Sequence, residues 1–191
     1  GVCHSDLSVV NGDRVRPLPM ALGHAAAGVV VETGLDVTGL RPGDHVVMVY
    51  VPSCGTCVFC EDGQPALCER GAAPNGAGEM LSGGRRLRDG SGEIHHPLGV
   101  SAFAQYAVVD QSSAITVDKD VPFDVAALFG CAMSTGYGAV TRTAGVSAGE
   151  TVAIIGLGGV GLSAVIAAHA VGASRVLAVD PVQSKRDLAL E

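Results

Sequence analysis

Four cysteines fall within fifteen residues as C-x2-C-x2-C-x7-C, at Cys54, Cys57, Cys60 and Cys68. So short a segment has no core of its own and needs a cross-link to hold its shape. Thiolates are soft ligands that suit zinc, and four of them close a tetrahedral shell with no open position. The spacing therefore predicts a structural zinc, with Gly55, Gly63 and Pro65 supplying the turns of the lobe. A disulfide framework fits less well, because the chain is longer and less cysteine-dense than small stapled domains. Cys57-Val58-Phe59-Cys60 could be read as a redox pair, but two further cysteines flank it in register. An iron–sulfur cluster is the remaining alternative for four thiolates.

Two cysteines are left over, Cys3 and Cys131, and with His24 they make a second candidate ligand set. Each is weak evidence alone, since a lone buried Cys is usually a small core residue. Their contexts are G-V-C-H-S-D, L-G-H-A-A-A-G and G-C-A-M-S-T-G-Y-G. Two thiolates and one imidazole leave one corner of a tetrahedron open, which is how a zinc that polarises an alcohol is held. With all six cysteines assigned to metal, a reducing, cytoplasmic setting is expected.

The formal net charge of -7 argues against a nucleic-acid partner. The chain opens on Gly1-Val2-Cys3 without a signal-peptide pattern. Val152 to Val171 is apolar enough to suggest a membrane span, but its glycine cluster, Ser163 and His169 favour a buried strand, a turn and a helix.

Strands are expected at 26–32, 45–51, 103–109 and 114–117, separated by turn signals, as in an irregular β domain. Residues 70–99 read as a long surface loop. Helices are expected from Asp124 to Leu128 and from Met133 to Ala144. A strand at 151–155, a helix at 161–171, a strand at 175–180 and a helix from Ser184 then give the βαβ order of a doubly wound parallel sheet. The expected division is 1–132 and 133–191. The second part holds only the start of such a sheet, so the chain reads as a fragment of a longer protein.

The segment GLGGVG, Gly156 to Gly161, lies between the predicted strand and helix, as a dinucleotide turn requires. Gly156 permits the tight turn, Gly158 lets backbone approach a pyrophosphate, and Gly161 allows close helix–strand packing. The helix start adds a partial positive charge. Asp180 ends the second strand, 19 residues beyond Gly161, where a carboxylate binds ribose hydroxyls and repels a 2′-phosphate. NAD is therefore expected over NADP.

Taken together, GVCHSD, GHAAAG, the four-cysteine lobe, GCAMSTGYGA and GLGGVG make the sequence resemble the zinc-containing medium-chain alcohol dehydrogenases over essentially its whole length. The loop between Cys68 and Phe103 is similar to the insertion of the liver-type and glutathione-dependent formaldehyde dehydrogenase branches. The resemblance implies a GroES-like, β-rich catalytic domain followed by a Rossmann sheet, two zincs per chain, and NAD. Cys3, His24 and Cys131 would hold the catalytic zinc. Ser5 matches the hydroxyl that takes the alcohol proton, with a helix cap as its ordinary alternative. Asp6 matches the carboxylate that orients the zinc histidine. His4 matches a basic position near the pyrophosphate, Lys185 a second ribose contact, and Thr135 and Val160 positions beside the nicotinamide. Gly159 lies in the same phosphate turn. Tyr50 resembles an aromatic of the substrate pocket. Two positions depart from the pattern. Ser8 stands where liver-type members end the proton relay in histidine, and Ala25 stands where glutamate usually follows the zinc histidine.

The expected function is hydride transfer between a primary or secondary alcohol, or its aldehyde or ketone, and NAD. Oxidation of a thiol–formaldehyde adduct is the alternative within the family. A zinc-stabilised binding protein with a decayed site is the alternative outside it. The fragment alone is expected to bind NAD poorly and turn over little. A small-molecule substrate, no membrane and a homo-oligomer at full length complete the expectation. His45, His95, His96 and His169 read as surface or structural histidines, and Arg85, Arg86 and Arg88 as a solvated run balanced by Asp89 and Glu93.

Overall fold

The structure is a computed structural model that describes residues 1–191. The chain divides after Gly130 into two compact units, Gly1–Gly130 and Cys131–Glu191.

The first unit opens with a helix, α1 (His4–Val10), that sequence reasoning did not expect. Its start is set by Asp6 in the first turn, whose carboxylate accepts the backbone N–H of Cys3 at 3.3 Å. An acidic group at that end satisfies an orphan donor and complements the helix dipole. The N-cap residue is therefore Cys3, not Ser5. Strands β1 (Ala27–Val29), β2 (His45–Met48) and, later in the chain, a third at Ala114–Thr116 form an antiparallel sheet with β2 in the middle. Register pairs Ala27 with Val47 and Val47 with Ile115. Val46 and Val47 are both buried, so this short sheet is covered on both faces.

Residues 70–99 are not the open loop expected. After a single helical turn, α2 (Val58–Glu61), comes α3 (Glu69–Ala77), and then a hairpin of β3 (Leu87–Asp89) and β4 (Gly92–Ile94). Ionic and imidazole contacts hold the hairpin where apolar residues are few. Arg85 pairs with Glu79 at 3.0 Å and Glu93 at 3.2 Å, and Arg88 with Glu93 at 3.4 Å. His96 is fully buried. Its Nε2 accepts the Arg86 N–H at 3.0 Å, which places the ring proton on Nδ1, facing Ser101 Oγ at 3.2 Å. Residues 103–109 do not form a strand, although they alternate as one. Phe103, Tyr106 and Val108 are exposed, and no neighbouring strand supplies the ladder that strand identity requires. The strand Ala114–Thr116 is β5.

The two helices expected around 124–144 are one helical run. It consists of α4 (Phe123–Leu128), a π-turn at Phe129–Met133, α5 (Ser134–Gly138) and a second π-turn at Ala139–Thr143. By length and composition alone the run could cross a membrane. Ala126, Ala127, Gly130, Gly136 and Val140 are buried, whereas Phe123, Val125, Leu128, Phe129 and Tyr137 of the same run are exposed. Gly130 lies so close to β2 that a Cβ there would fall on the Met48 carbonyl oxygen.

The second unit pairs β6 (Thr151–Ile155) with β7 (Arg175–Val179) in parallel through the crossover helix α6 (Gly159–Ala170), followed by α7 (Gln183–Leu188). Its core is Val140, Ile154, Leu157, Ala164, Ala167 and Ala168. Small residues on α6 allow close approach. A Cβ on Gly136 would strike the Val160 carbonyl, so α5 and α6 pack backbone to backbone.

Candidate functional site

Cys54, Cys57, Cys60 and Cys68 bring four sulfur atoms within 4.8 Å of one another. Zn–S bonds of about 2.3 Å in a tetrahedron would set the sulfurs roughly 3.8 Å apart, and the contraction needed is small. Cys57 Sγ already lies 3.5 Å from Cys60 Sγ, and the Cys54 N–H points at Cys68 Sγ from 3.3 Å. Cys68 is buried and the other three are half-buried. Their acidities diverge. The backbone N–H of Thr56 beside Cys54 pulls its thiol down to about 6, and the backbone N–H of Cys60 lowers Cys57. Burial, with Cys57 alongside, pushes Cys60 up to about 11. Four sulfurs this close cannot all ionise without a cation between them, and a soft divalent ion removes the conflict. The donor set therefore fits zinc.

A second group of chemistry-bearing residues lies at the start of the chain. Cys3 Sγ and a ring nitrogen of His24 lie within 4.8 Å of each other. Asp6, 5% exposed, accepts three hydrogen bonds: from Cys3 N–H, from Gly23 N–H at 3.2 Å, and from His24 Nδ1 at 3.1 Å. The last contact favours the imidazole proton on Nδ1, which leaves the Nε2 lone pair available to a metal. Gly23 has φ +99°, and a Cβ there would collide with the Phe103 backbone nitrogen, so only glycine can deliver His24 to this place. The Tyr50 ring stands edge-on to the His24 ring at 5.4 Å.

Ser5 Oγ donates to Cys3 Sγ at 3.0 Å, which puts its hydroxyl beside that sulfur. Ser8 Oγ donates to the His4 carbonyl at 3.0 Å and is satisfied within α1. Ala25 is buried and brings no charge behind His24. His4 is exposed. Cys131 is half-buried in the π-turn and is the residue directly after Gly130.

In the second unit Gly156 has φ +95°, and a Cβ on Gly161 would fall on the Gly156 carbonyl oxygen. A Cβ on Gly158 would meet nothing, so the space in front of the turn is open to a ligand. Asp180 is buried against the turn. Its Oδ2 accepts the Leu157 N–H at 2.8 Å and its Oδ1 the Val182 N–H at 2.9 Å, and these bonds hold its carboxyl below the usual carboxylate range. Lys185 Nζ lies 3.8 Å from the same carboxylate. Arg186 donates to the Asp180 carbonyl oxygen. Thr135, Gly159 and Val160 are all exposed.

Sequence reasoning passed over Gly130 and Gly23, whose roles come from contacts distant in sequence. It also passed over Arg14 and Arg16, which line a cleft with Ser5 and His24.

Residues 1–119 match the alcohol dehydrogenase GroES-like domain, and the chain belongs to that family. A GroES-like unit followed by the start of a parallel α/β unit is thus its fold. Among particular proteins, it is 43% identical over 164 residues to the S-(hydroxymethyl)glutathione dehydrogenase of Saccharomyces cerevisiae, covering 85% of this chain and 42% of the yeast protein. The crystal structure of an alcohol dehydrogenase zinc-binding domain protein from Burkholderia ambifaria superposes with a TM-score of 0.92 at 43% identity, over all of this chain and 52% of that one. Benzyl alcohol dehydrogenase from Acinetobacter calcoaceticus superposes at 0.86 with 37% identity, over all of this chain and 51% of that one. The chain therefore spans about half the length of the relatives it matches.

Proposed function

We propose that this chain is the zinc-holding part and the first coenzyme-binding part of an NAD-dependent alcohol dehydrogenase. The observation that carries the reading is the Asp6–His24 pair, buried beside Cys3 with Ser5 Oγ on the same sulfur. A carboxylate that fixes an imidazole tautomer is the usual support of a metal ligand.

Cys131 is the third ligand in this reading. It is half-buried in a π-turn, a helix irregularity frequent at functional sites. Two thiolates, one imidazole and an open fourth position suit a zinc that, when bound, acts as a Lewis acid on an alcohol or carbonyl oxygen. Asp6 holds the His24 ring in place, and the Ser5 hydroxyl receives the proton of the substrate alcohol. Ser8 is tied to the His4 carbonyl, so the proton leaves by water rather than through that side chain.

The cradle around Gly158 and Gly159 suits a pyrophosphate, and His4 is the further phosphate contact that the family resemblance implies. Asp180 and Lys185 suit the adenosine ribose, and Asp180 disfavours a 2′-phosphate. Thr135 and Val160 sit on facing helices and suit the nicotinamide side. The four-cysteine lobe holds a second, structural zinc. Small-molecule alcohols or aldehydes are the substrates, with neither nucleic acid nor membrane as partner; the acidic net charge supports the first of these exclusions. A cytoplasmic, homo-oligomeric enzyme is the corresponding whole.

The test is zinc per folded chain after exhaustive dialysis. Two zincs, one lost in Cys57→Ser and the other in His24→Ala, are expected. One zinc that survives His24→Ala would refute the catalytic site. The 43% identity to the yeast enzyme favours a second reading, oxidation of a hydroxymethylated thiol. Comparing turnover of simple alcohols with that of the formaldehyde adduct of glutathione separates the two.

A further inference from the structure

His96 is wholly removed from water, and neither candidate metal group includes it. Its neighbours in sequence nevertheless grip the segment that delivers His24, and they do so at two places. The His95 N–H donates to the Pro19 carbonyl at 2.9 Å, and the His95 carbonyl accepts the Ala21 N–H at 3.1 Å. Further along, the Ala102 N–H donates to the Gly23 carbonyl and the Phe103 N–H to the Leu22 carbonyl, each at 2.9 Å. Between the two grips runs the 96–101 turn, whose Pro97 and Leu98 line the same narrow cleft as Asp6 and His24. The turn is not relaxed. Leu98 at φ 53° and Ser101 at φ 54° are in the left-handed region, where a residue other than glycine stays only if its surroundings hold it.

The His96 imidazole supplies that hold. Its Nε2 accepts the Arg86 N–H at 3.0 Å, and its own N–H donates to the Gly78 carbonyl at 2.9 Å, so the ring is fixed against the hairpin. Its Nδ1 meets Ser101 Oγ at 3.2 Å, one residue before the Ala102 N–H that binds Gly23. Gly23 in turn gives its N–H to Asp6, which takes the His24 Nδ1. Hydrogen bonds and one peptide link thus run without a gap from the buried imidazole to the zinc histidine. We propose that His96 is a positioning residue for His24, acting through Ser101 and the backbone of Gly23. The inference rests on the dehydrogenase reading above, in which His24 holds metal, and adds a residue to its support.

The experiment is chelator competition on the full chain, read separately for the two zincs, in Ser101→Ala, His96→Ala and His96→Asn. Affinity at the His24 site should fall several-fold in Ser101→Ala and about tenfold in His96→Ala, while the four-cysteine lobe keeps its own. His96→Asn, whose amide can still donate to Ser101, should regain most of what His96→Ala loses. Equal loss from both sites, unchanged affinity at the His24 site, or an asparagine variant no better than the alanine one overturns the proposal. Because His96→Ala empties a buried position, Ser101→Ala, which removes a single oxygen, decides alone if the larger change unfolds the chain. If the wild-type chain binds no zinc at His24, the dehydrogenase reading is what has failed. Hydrogen exchange in the metal-free chain then decides the coupling by itself. Loss of protection at the Gly23 amide in Ser101→Ala supports it, provided that the Val49 amide, bonded to the Ser113 carbonyl at 2.8 Å, is unaffected. Gly23 protection equal to wild type overturns it.

Discussion

Asp6 and His24 meet at 3.1 Å in a place where both are almost wholly removed from water. A buried carboxylate is costly unless fully hydrogen-bonded, and this one is, through Cys3, Gly23 and His24. The pair therefore couples the start of α1, the glycine before the histidine and the ring tautomer in one arrangement.

Asp6→Ala should leave two backbone donors and the imidazole without their acceptor. Zinc affinity at the His24 site is expected to fall about 10–100-fold, while the four-cysteine lobe keeps its metal. Competition with a graded chelator, read separately for the two zincs, checks this. Equal loss from both sites would count against it.

Removing the metal from the lobe should loosen residues 54–68 selectively, because its one buried side chain, Cys68, is itself one of the four sulfurs and no apolar core stands behind them. Limited proteolysis with and without chelator should show new cleavage between Val58 and Leu67. Unchanged protection would mean that the lobe is held by packing.

Gly158 and Gly161 should respond in opposite ways. Gly158→Ala meets no protein atom, so the fold should melt as before while NAD binding drops at least tenfold. Gly161→Ala drives a Cβ into the Gly156 carbonyl and should cost about 1–3 kcal/mol of the second unit's stability. Thermal melts alongside coenzyme titration separate the two effects.

Asp180 is held low by the N–H groups of Leu157 and Val182, with smaller help from Lys185 and Arg186. A depressed folded value means that its contribution is present above the unfolded carboxylate range, near pH 4, and is lost as pH falls through the folded value. Asp180→Asn should remove that acid-side slope and, on the proposed reading, relax the expected preference for NAD over NADP. Identical acid melting of wild type and variant would refute the first part.

His96 is pushed below its usual value first by burial and then by Arg86 and Arg85. Its neutral form accepts from Arg86, so stability is present above about pH 6.5 and declines as pH falls below it toward the folded value. The hairpin of β3 and β4 and the 97–101 turn should open first, since Leu98 and Ser101 are held at positive φ, a strained conformation for residues other than glycine. The hydrogen-exchange protection of the Arg86 amide, corrected for the pH dependence of intrinsic exchange, should fall in wild type between pH 7.5 and 5.5. A flat profile there would contradict this.

The metal lobe, the βαβ order and the glycine turn could be read directly from the chain because each is local. Ligand spacing, apolar periodicity and the Gly156–Gly161 pattern state their own geometry within a few residues. The helix α1 left only a faint trace, one acidic residue three places after Cys3. The stretch 70–99 was misread because its order comes from Arg85 and His96 reaching across the hairpin rather than from apolar periodicity. Residues 103–109 were misread for the opposite reason: their alternation is that of a strand, but strand identity belongs to a pair. What the amino-acid order determined alone was which side chains could bind metal and where the glycine turn lies. Only the tertiary structure could decide that Asp6 also takes the Gly23 amide, that Asp180 caps the Leu157 amide, and that Arg14 and Arg16 line the Ser5 cleft. Each of these joins residues whose separation in space is set by packing and hydrogen bonding, which sequence spacing does not encode.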